Sequence, residues 1–201
     1  KNEPDEAEKL LRQGLDRAPK DPLLTWELAD LLITRGRKEE SRPLIGDLQL
    51  ANVSRPLIDY LRGRILVQEQ RWSEAVVALQ RARGDLIDTP RLAAQAEIYL
   101  ADCYEELGDS DQRLGACRHA VQIQPFFVAA RQHLAQALLA VGRVDEALAE
   151  YRTMLDLPDA PAFGWTAEVG WATVAKVLII RNLSIPKEKA NWDEIEPALN
   201  S

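Results

Sequence analysis

The stretch VGRVDEALAEYRTMLDLPDAP, residues 141–161, carries a glycine at its second position (Gly142), sets a small residue (Ala147) four positions before a large one (Tyr151), and closes on prolines. Residues four apart share one face of a helix. Leu, Ala, Glu and Arg dominate the stretch, and they lose little freedom in a helix, so it reads as one helix preceded by a turn. The small position recurs through the chain at Ala7, Ser41, Ala75, Arg113 and Ala147, with steps of 34, 34, 38 and 34 residues. A second column of small residues runs through Ala29, Gly63, Ala101, Ala135 and Gly170, with steps of 34, 38, 34 and 35. A third closes each period at Pro19, Val53, Ile87, Pro125 and Asp159, again stepping by 34, 34, 38 and 34. Columns that share a four-residue insertion describe one structural repeat, and a period of this length marks a stack of supersecondary units with a continuous interior.

The repeat resembles the tetratricopeptide repeat family. The resemblance is carried by DEAEKLLRQGLDRAPKDP (5–22), RWSEAVVALQRA (71–82), LGACRHAVQIQP (114–125) and the opening stretch, and it covers almost the whole chain. It implies an all-α, right-handed superhelical solenoid of antiparallel helix pairs with about 11 helices. Small residues let helix backbones approach, and large apolar ones fill the gaps. Leu28, Leu32, Leu66, Leu100, Tyr104, Leu134 and Leu138 serve on first helices, and Leu11, Ile45, Leu79, Cys117 and Tyr151 on second helices. Gly36, Gly108 and Gly142 stand where the helices of a pair must turn, because glycine enters the left-handed region without penalty. Asp21-Pro22 and Asp88-Thr89-Pro90 place a capping side chain before a proline whose missing N–H costs nothing at a helix start.

The repeats are expected at 1–21 (partial), 22–55, 56–93, 94–127, 128–161 and 162–201 (atypical), within a single domain. A second helix spans Asp5 to Arg17, and pairs begin near Pro22, Pro56, Pro90, Phe126 and Pro161. The last second helix is expected at Ala190 to Asn200. Arg62 replaces a large apolar residue, Arg113 a small one and Gln70 the turn glycine. Pro43 and Gly46 predict that their helix starts late or bends. The insertion before Ala101 is expected to lengthen one first helix to Pro90–Leu107. The unpaired first helix, with Leu10, Leu11 and Leu15, and the uncapped end at Ala198-Leu199 suggest a part of a longer protein. Trp165 and Trp171, six apart, cannot share one helical stripe, so one of them should meet a following repeat or stand exposed.

The 201 residues are 46% hydrophobic, ample for a packed core, and carry a formal net charge of -7 without a block of basic residues, which argues against a nucleic-acid partner. The apolar run Val177 to Ile180 is far shorter than the roughly 20 residues a bilayer-spanning helix needs. Cys103 and Cys117 have no ligand spacing and read as buried thiols. His119 and His133 lie in different repeats without a Cys or Asp in a ligand pattern. No nucleophile–base pair, metal-ligand set or phosphate-binding loop stands out, so no catalytic residue, metal or cofactor is expected. The Arg83-Gly84-Asp85 triplet falls at a helix end, and Asn52-Val53-Ser54 and Asn182-Leu183-Ser184 fit a glycosylation pattern that matters only in a eukaryotic secretory setting.

The resemblance implies that first helices line a concave face on which partners are held. The face residues at i, i+4 spacing are Trp26 with Asp30, Tyr60 with Arg64, Ile98 with Asp102, and Gln132 with Gln136, flanked by Tyr99 and His133. Aromatics beside single charges suit a peptide, although Trp26 and Tyr60 equally suit packing between neighbouring first helices. Asp102, Glu105 and Glu106 make the middle acidic, which fits a partner carrying Lys or Arg as well as a solvated surface. The expected role is a protein-interaction scaffold or adaptor. The alternatives are a substrate-recruiting arm of a larger enzyme, such as a transferase or kinase, and a self-associating module. The sequence does not fix a compartment, with a cytoplasmic one favoured.

Overall fold

The computed structural model describes residues 3–84, 86, 89–158 and 160–199. Asp85, the repeat-closing Ile87 and Asp159, the cap candidate Asp88, and Asn200 lie outside the described residues. The described residues are all-α, with eleven α-helices and two short 3-10 segments. They gather into two compact bodies, Lys1–Leu107 and Gly108–Ser201.

The N-terminal body holds α1 (Glu3–Arg17), α2 (Pro22–Thr34), α3 (Lys38–Leu50), α4 (Arg55–Gln68), α5 (Trp72–Arg83) and α6 (Pro90–Glu106). Each helix packs on the next in sequence, and α2, α4 and α6 also touch in turn. This is the pattern a repeat with a shared interior demands. The small column is what lets the backbones close up. Ala29 and Ala101 are buried, and a Cβ added at Gly63 would lie 2.6 Å from Cγ and Cδ2 of Leu79, a completely buried side chain. The helix starts follow local chemistry, since Asp21 accepts the Leu24 N–H at 2.9 Å with Pro22 at the first helical position. Gly36 turns α2 into α3 at φ +74°. Gln70 makes the equivalent turn from α4 to α5 at φ +58°, so a side chain that disfavours the left-handed region is held there by its flanking helices.

The expectation of a late start for the Pro43 helix is corrected: α3 begins at Lys38, directly after its turn, and runs through Pro43. A proline here removes the bond to the Glu39 carbonyl, and because Glu39 and Pro43 are both exposed that carbonyl stays open to water. The lengthened first helix matches its expectation closely, at Pro90–Glu106. Around α1 an ion-pair cluster adds to the packing of Gly14 against Leu24. Glu8 accepts from Arg12 (2.9 Å), Arg37 (2.7 Å) and Arg35, while Glu40 accepts from Arg37 at 2.7 Å. Burial works to raise the Glu8 pKa, but these hydrogen bonds outweigh it and leave the carboxyl below its ordinary value.

The C-terminal body holds α7 (Ser110–Ile123), α8 (Val128–Ala140), α9 (Val144–Leu155), α10 (Ala167–Leu183) and the five-residue α11 (Ile195–Leu199). Gly142 turns α8 into α9 at φ +76°, and Gly170 presses on Leu155, so close approach recurs here. Two boundaries differ from expectation. The helix expected from Pro161 begins at Ala167, because Ala160–Phe163 forms a 3-10 turn, Gly164 reverses the chain at φ +77° and Thr166 caps the Val169 N–H. The final helix starts at Ile195 rather than Ala190, after a second 3-10 segment, Lys187–Lys189, and an extended Ala190. Trp165 therefore lies outside α10, buried and stacked on Tyr151 with ring centroids 5.4 Å apart, and Trp171 is half-buried. Buried Asn182 clasps the approach to α11 by donating Nδ2 to the Asn191 carbonyl (2.6 Å) and accepting the Asn191 N–H (3.3 Å).

Candidate partner-binding site

A step of one repeat carries Asp30 on α2 to Arg64 on α4, and the fold turns that sequence relation into a contact. The Arg64 guanidinium donates to the Asp30 carboxylate through Nη1 and to Thr34 Oγ1 through Nη2, the latter at 2.7 Å. Its Cζ lies 5.4 Å from the Tyr60 ring centroid and 5.5 Å from that of Tyr99, so the cation rests against both rings. Tyr60 and Tyr99 meet edge to face at 6.3 Å and 60°. The Tyr60 hydroxyl donates to Gln95 Oε1 at 3.0 Å, tying α4 to α6. Helices α2, α4 and α6 are thus joined through one polar and aromatic cluster.

This cluster is mostly inside the protein. Tyr60 is 1% exposed and Arg64 6%, whereas Trp26, Asp30, Tyr99 and Asp102 are half-buried. Burial pushes the Tyr60 hydroxyl well above its ordinary pKa despite the opposing charge of Arg64. Burial also opposes the charge of Arg64, but the surrounding tyrosines and Asp30 overcome it and the guanidinium stays cationic. Two N–H donors here, Trp26 Nε1 and Arg64 Nε, are buried with no acceptor among the described residues. An unsatisfied buried donor costs about 1–3 kcal/mol.

In the C-terminal body α8 places Gln132 and His133 half-buried and Gln136 exposed, with neighbouring Arg131 fixed by Glu150 Oε2 (2.5 Å) and the Pro125 carbonyl (2.7 Å). The sequence reading did not single out Thr34 and Gln95. Thr34 was traceable as the next residue of the Trp26, Asp30 stripe, whereas Gln95 lies off the repeat register and left no signal.

Cys103 is buried, and burial, with the nearby Asp102 charge, pushes its thiol up to about 12, so it is a packing group rather than a nucleophile. Cys117 is likewise buried. Among the described residues no group of His, Cys, Asp and Glu is placed to hold a metal ion, and no helix is long and apolar enough to cross a membrane.

Two sequence profiles described as tetratricopeptide repeat match the chain, over residues 1–65 and 60–126. The chain belongs to the tetratricopeptide repeat family. No curated protein matches its sequence. Solved structures share the tetratricopeptide repeat fold. Pseudomonas aeruginosa pilF is 18% identical, with 98% of this chain and 89% of that one covered at a TM-score of 0.63. A thermophilic TPR protein of Thermus thermophilus is 22% identical over 88% of this chain and 91% of that one, at a TM-score of 0.61. PilW, a widely conserved type IV pilus biogenesis factor, is 17% identical over 84% and 75%, at 0.62. As a tetratricopeptide repeat protein the chain is in general terms a protein-interaction scaffold, and its partners are proteins.

Proposed function

We propose that the protein holds a peptide or a protein segment against its first helices, through the half-buried side chains Trp26, Asp30, Tyr99 and Asp102. Tyr60 and Arg64 lie beneath them as fixed support, and Gln132, His133 and Gln136 offer the same repeat positions on α8. The observation that carries this reading is the locked cluster beneath the face, in which Arg64 is bonded to Asp30 and Thr34, and Tyr60 to Gln95, so that the half-buried ring of Tyr99 rests on a fixed support. A locked cluster loses little side-chain entropy on binding. Asp102 with exposed Glu105 and Glu106 makes this part of the face acidic and favours a partner bearing Lys or Arg.

The test is a fluorescence-anisotropy screen of short peptides carrying Lys or Arg beside an apolar residue, against the protein and its Tyr99→Ala and Asp102→Lys variants. Binding should weaken about tenfold or more in each variant, with the helical circular-dichroism signal unchanged. Equal affinity for all three proteins would sink the proposal.

A further inference from the structure

On the other face of α4 the repeat is broken in two places that meet in space. The position filled by buried leucines at Leu28, Leu100 and Leu134 is occupied by Arg62, whose side chain is 45% exposed. One helix earlier, Gly46 stands where the other second helices carry Arg12, Gln80, Arg118 and Arg152, and a Cβ added to it would find nothing within 4 Å. Both residues line one hollow of about 320 Å³ between α3 and α4, floored by Ile45, Ile65 and Leu66. A missing leucine and a missing long side chain have left apolar surface uncovered at one spot.

The rim is basic, in a chain of net charge -7. Arg42, Arg62 and Arg71 border the hollow. The one carboxylate on it, Glu69, is already engaged by Arg42, by Arg71 at 3.3 Å and by Lys38 at 3.4 Å. Burial works to raise the Glu69 pKa, but those cations prevail and hold it ionised. Through Gln49 and Arg62 the hollow continues into a second depression reaching Arg55, and through Arg55 into a third bordered by Asp59 and Arg81. With their ion-pair partners included, five arginines and Lys38 meet four carboxylates, Glu39, Asp59, Glu69 and Glu74, along a track of successive depressions, a shape suited to a chain rather than to a compact ligand.

We propose that this track binds an acidic peptide segment and that the hollow at Gly46 and Arg62 seats one bulky apolar side chain of it. Carboxylates on either side of that side chain would pair with Arg42, Arg62 and Arg55. Residues 60 and 64 point half a turn away from residue 62 on α4, so this surface is separate from the one proposed above, and the partner charge it selects is opposite.

The probe is a short synthetic peptide with one Phe flanked on both sides by Glu and Asp, titrated by fluorescence anisotropy. Arg62→Leu restores the residue of the other repeats and Gly46→Gln copies Gln80, so both fill the hollow while favouring the fold. Each should weaken binding about tenfold or more, and Arg62→Leu should raise the melting temperature. Gly46→Ala, which favours the helix without filling the space, should bind as the unaltered protein does, and so should Tyr99→Ala. Replacing the central Phe by Ala, or raising the salt concentration, should weaken binding to the unaltered protein. The proposal is overturned if the peptide does not bind, if the filled variants bind equally well, or if a Lys-flanked counterpart binds as tightly. Binding of a fatty acid such as decanoate in place of the peptide would overturn it too.

Discussion

Helix α4 has two faces built from interleaved residues, and they finish in opposite states. Toward α2, α5 and α6 the helix is tightly held, with Gly63 against Leu79, Arg64 bonded to Asp30 and Thr34, and Tyr60 bonded to Gln95. Toward α3, two residues later on the same helix, Arg62 turns outward and the interior is left open. The difference shows that a repeat keeps its stability where small and large residues meet in step, and gains an accessible surface where one member of the pattern is exchanged. Closure at one face permits the opening at the other, because α4 is already held.

The largest expected effect lies on the closed face. Leu79→Ala removes a fully buried side chain packed on a helix backbone and should cost about 3–4 kcal/mol in urea unfolding. Arg64→Ala should cost about 2–3 kcal/mol, since it leaves the half-buried Asp30 carboxylate without its cation and empties the space beside the Tyr60 and Tyr99 rings. Arg64→Lys should recover less than half of that loss, because an ammonium cannot present two donors in a plane beneath the rings of Tyr60 and Tyr99. If Arg64→Ala were neutral, the cluster would be incidental and α4 would owe its place to apolar packing alone.

Smaller effects sharpen the same contrast away from the core. Gln70→Gly should stabilise the protein by about 1 kcal/mol, because Gln70 occupies at φ +58° the turn position that Gly36 and Gly142 occupy without strain. The Glu8 cluster should yield to acid before the core does. Its carboxyl pKa is lowered in the folded protein, so its stabilising contribution is complete above the ordinary carboxylate value of 4.5 and is lost as the pH falls through the folded value. Hydrogen exchange of α1 should therefore accelerate in that range while that of α4 and α5 stays slow. A uniform response would place α1 in the same cooperative unit as the core.

Much of this was legible in the sequence, for a local reason. A small residue at 63 and a large one at 79 announce a close helix contact whatever else surrounds them, and the glycines at 36, 108 and 142 announce their turns. Asp30 and Arg64 were visible as an opposite-charge step one repeat apart, and the departures at Arg62 and Gly46 were visible one by one. Their convergence was not, because it depends on which faces of α3 and α4 oppose each other. Packing of Tyr60 between first helices was one of two readings open in the sequence, and its depth followed only from what three helices place over it. Pro43 did not delay the start of its helix, because the carbonyl it frees lies among exposed residues, and Pro161 misled because Gly164 breaks the chain before a helix can form.

The Asn182 clasp carries one more consequence. The amide nitrogen that donates to the Asn191 carbonyl is the atom an N-linked oligosaccharide would need, and the folded chain keeps it out of reach, whereas Asn52 lies exposed in a turn. In a secretory host, sugar attached at 182 would have to arrive before α10 and α11 come together. The ratio of occupancy at the two asparagines would then act as a clock for the closing of the chain's last helices.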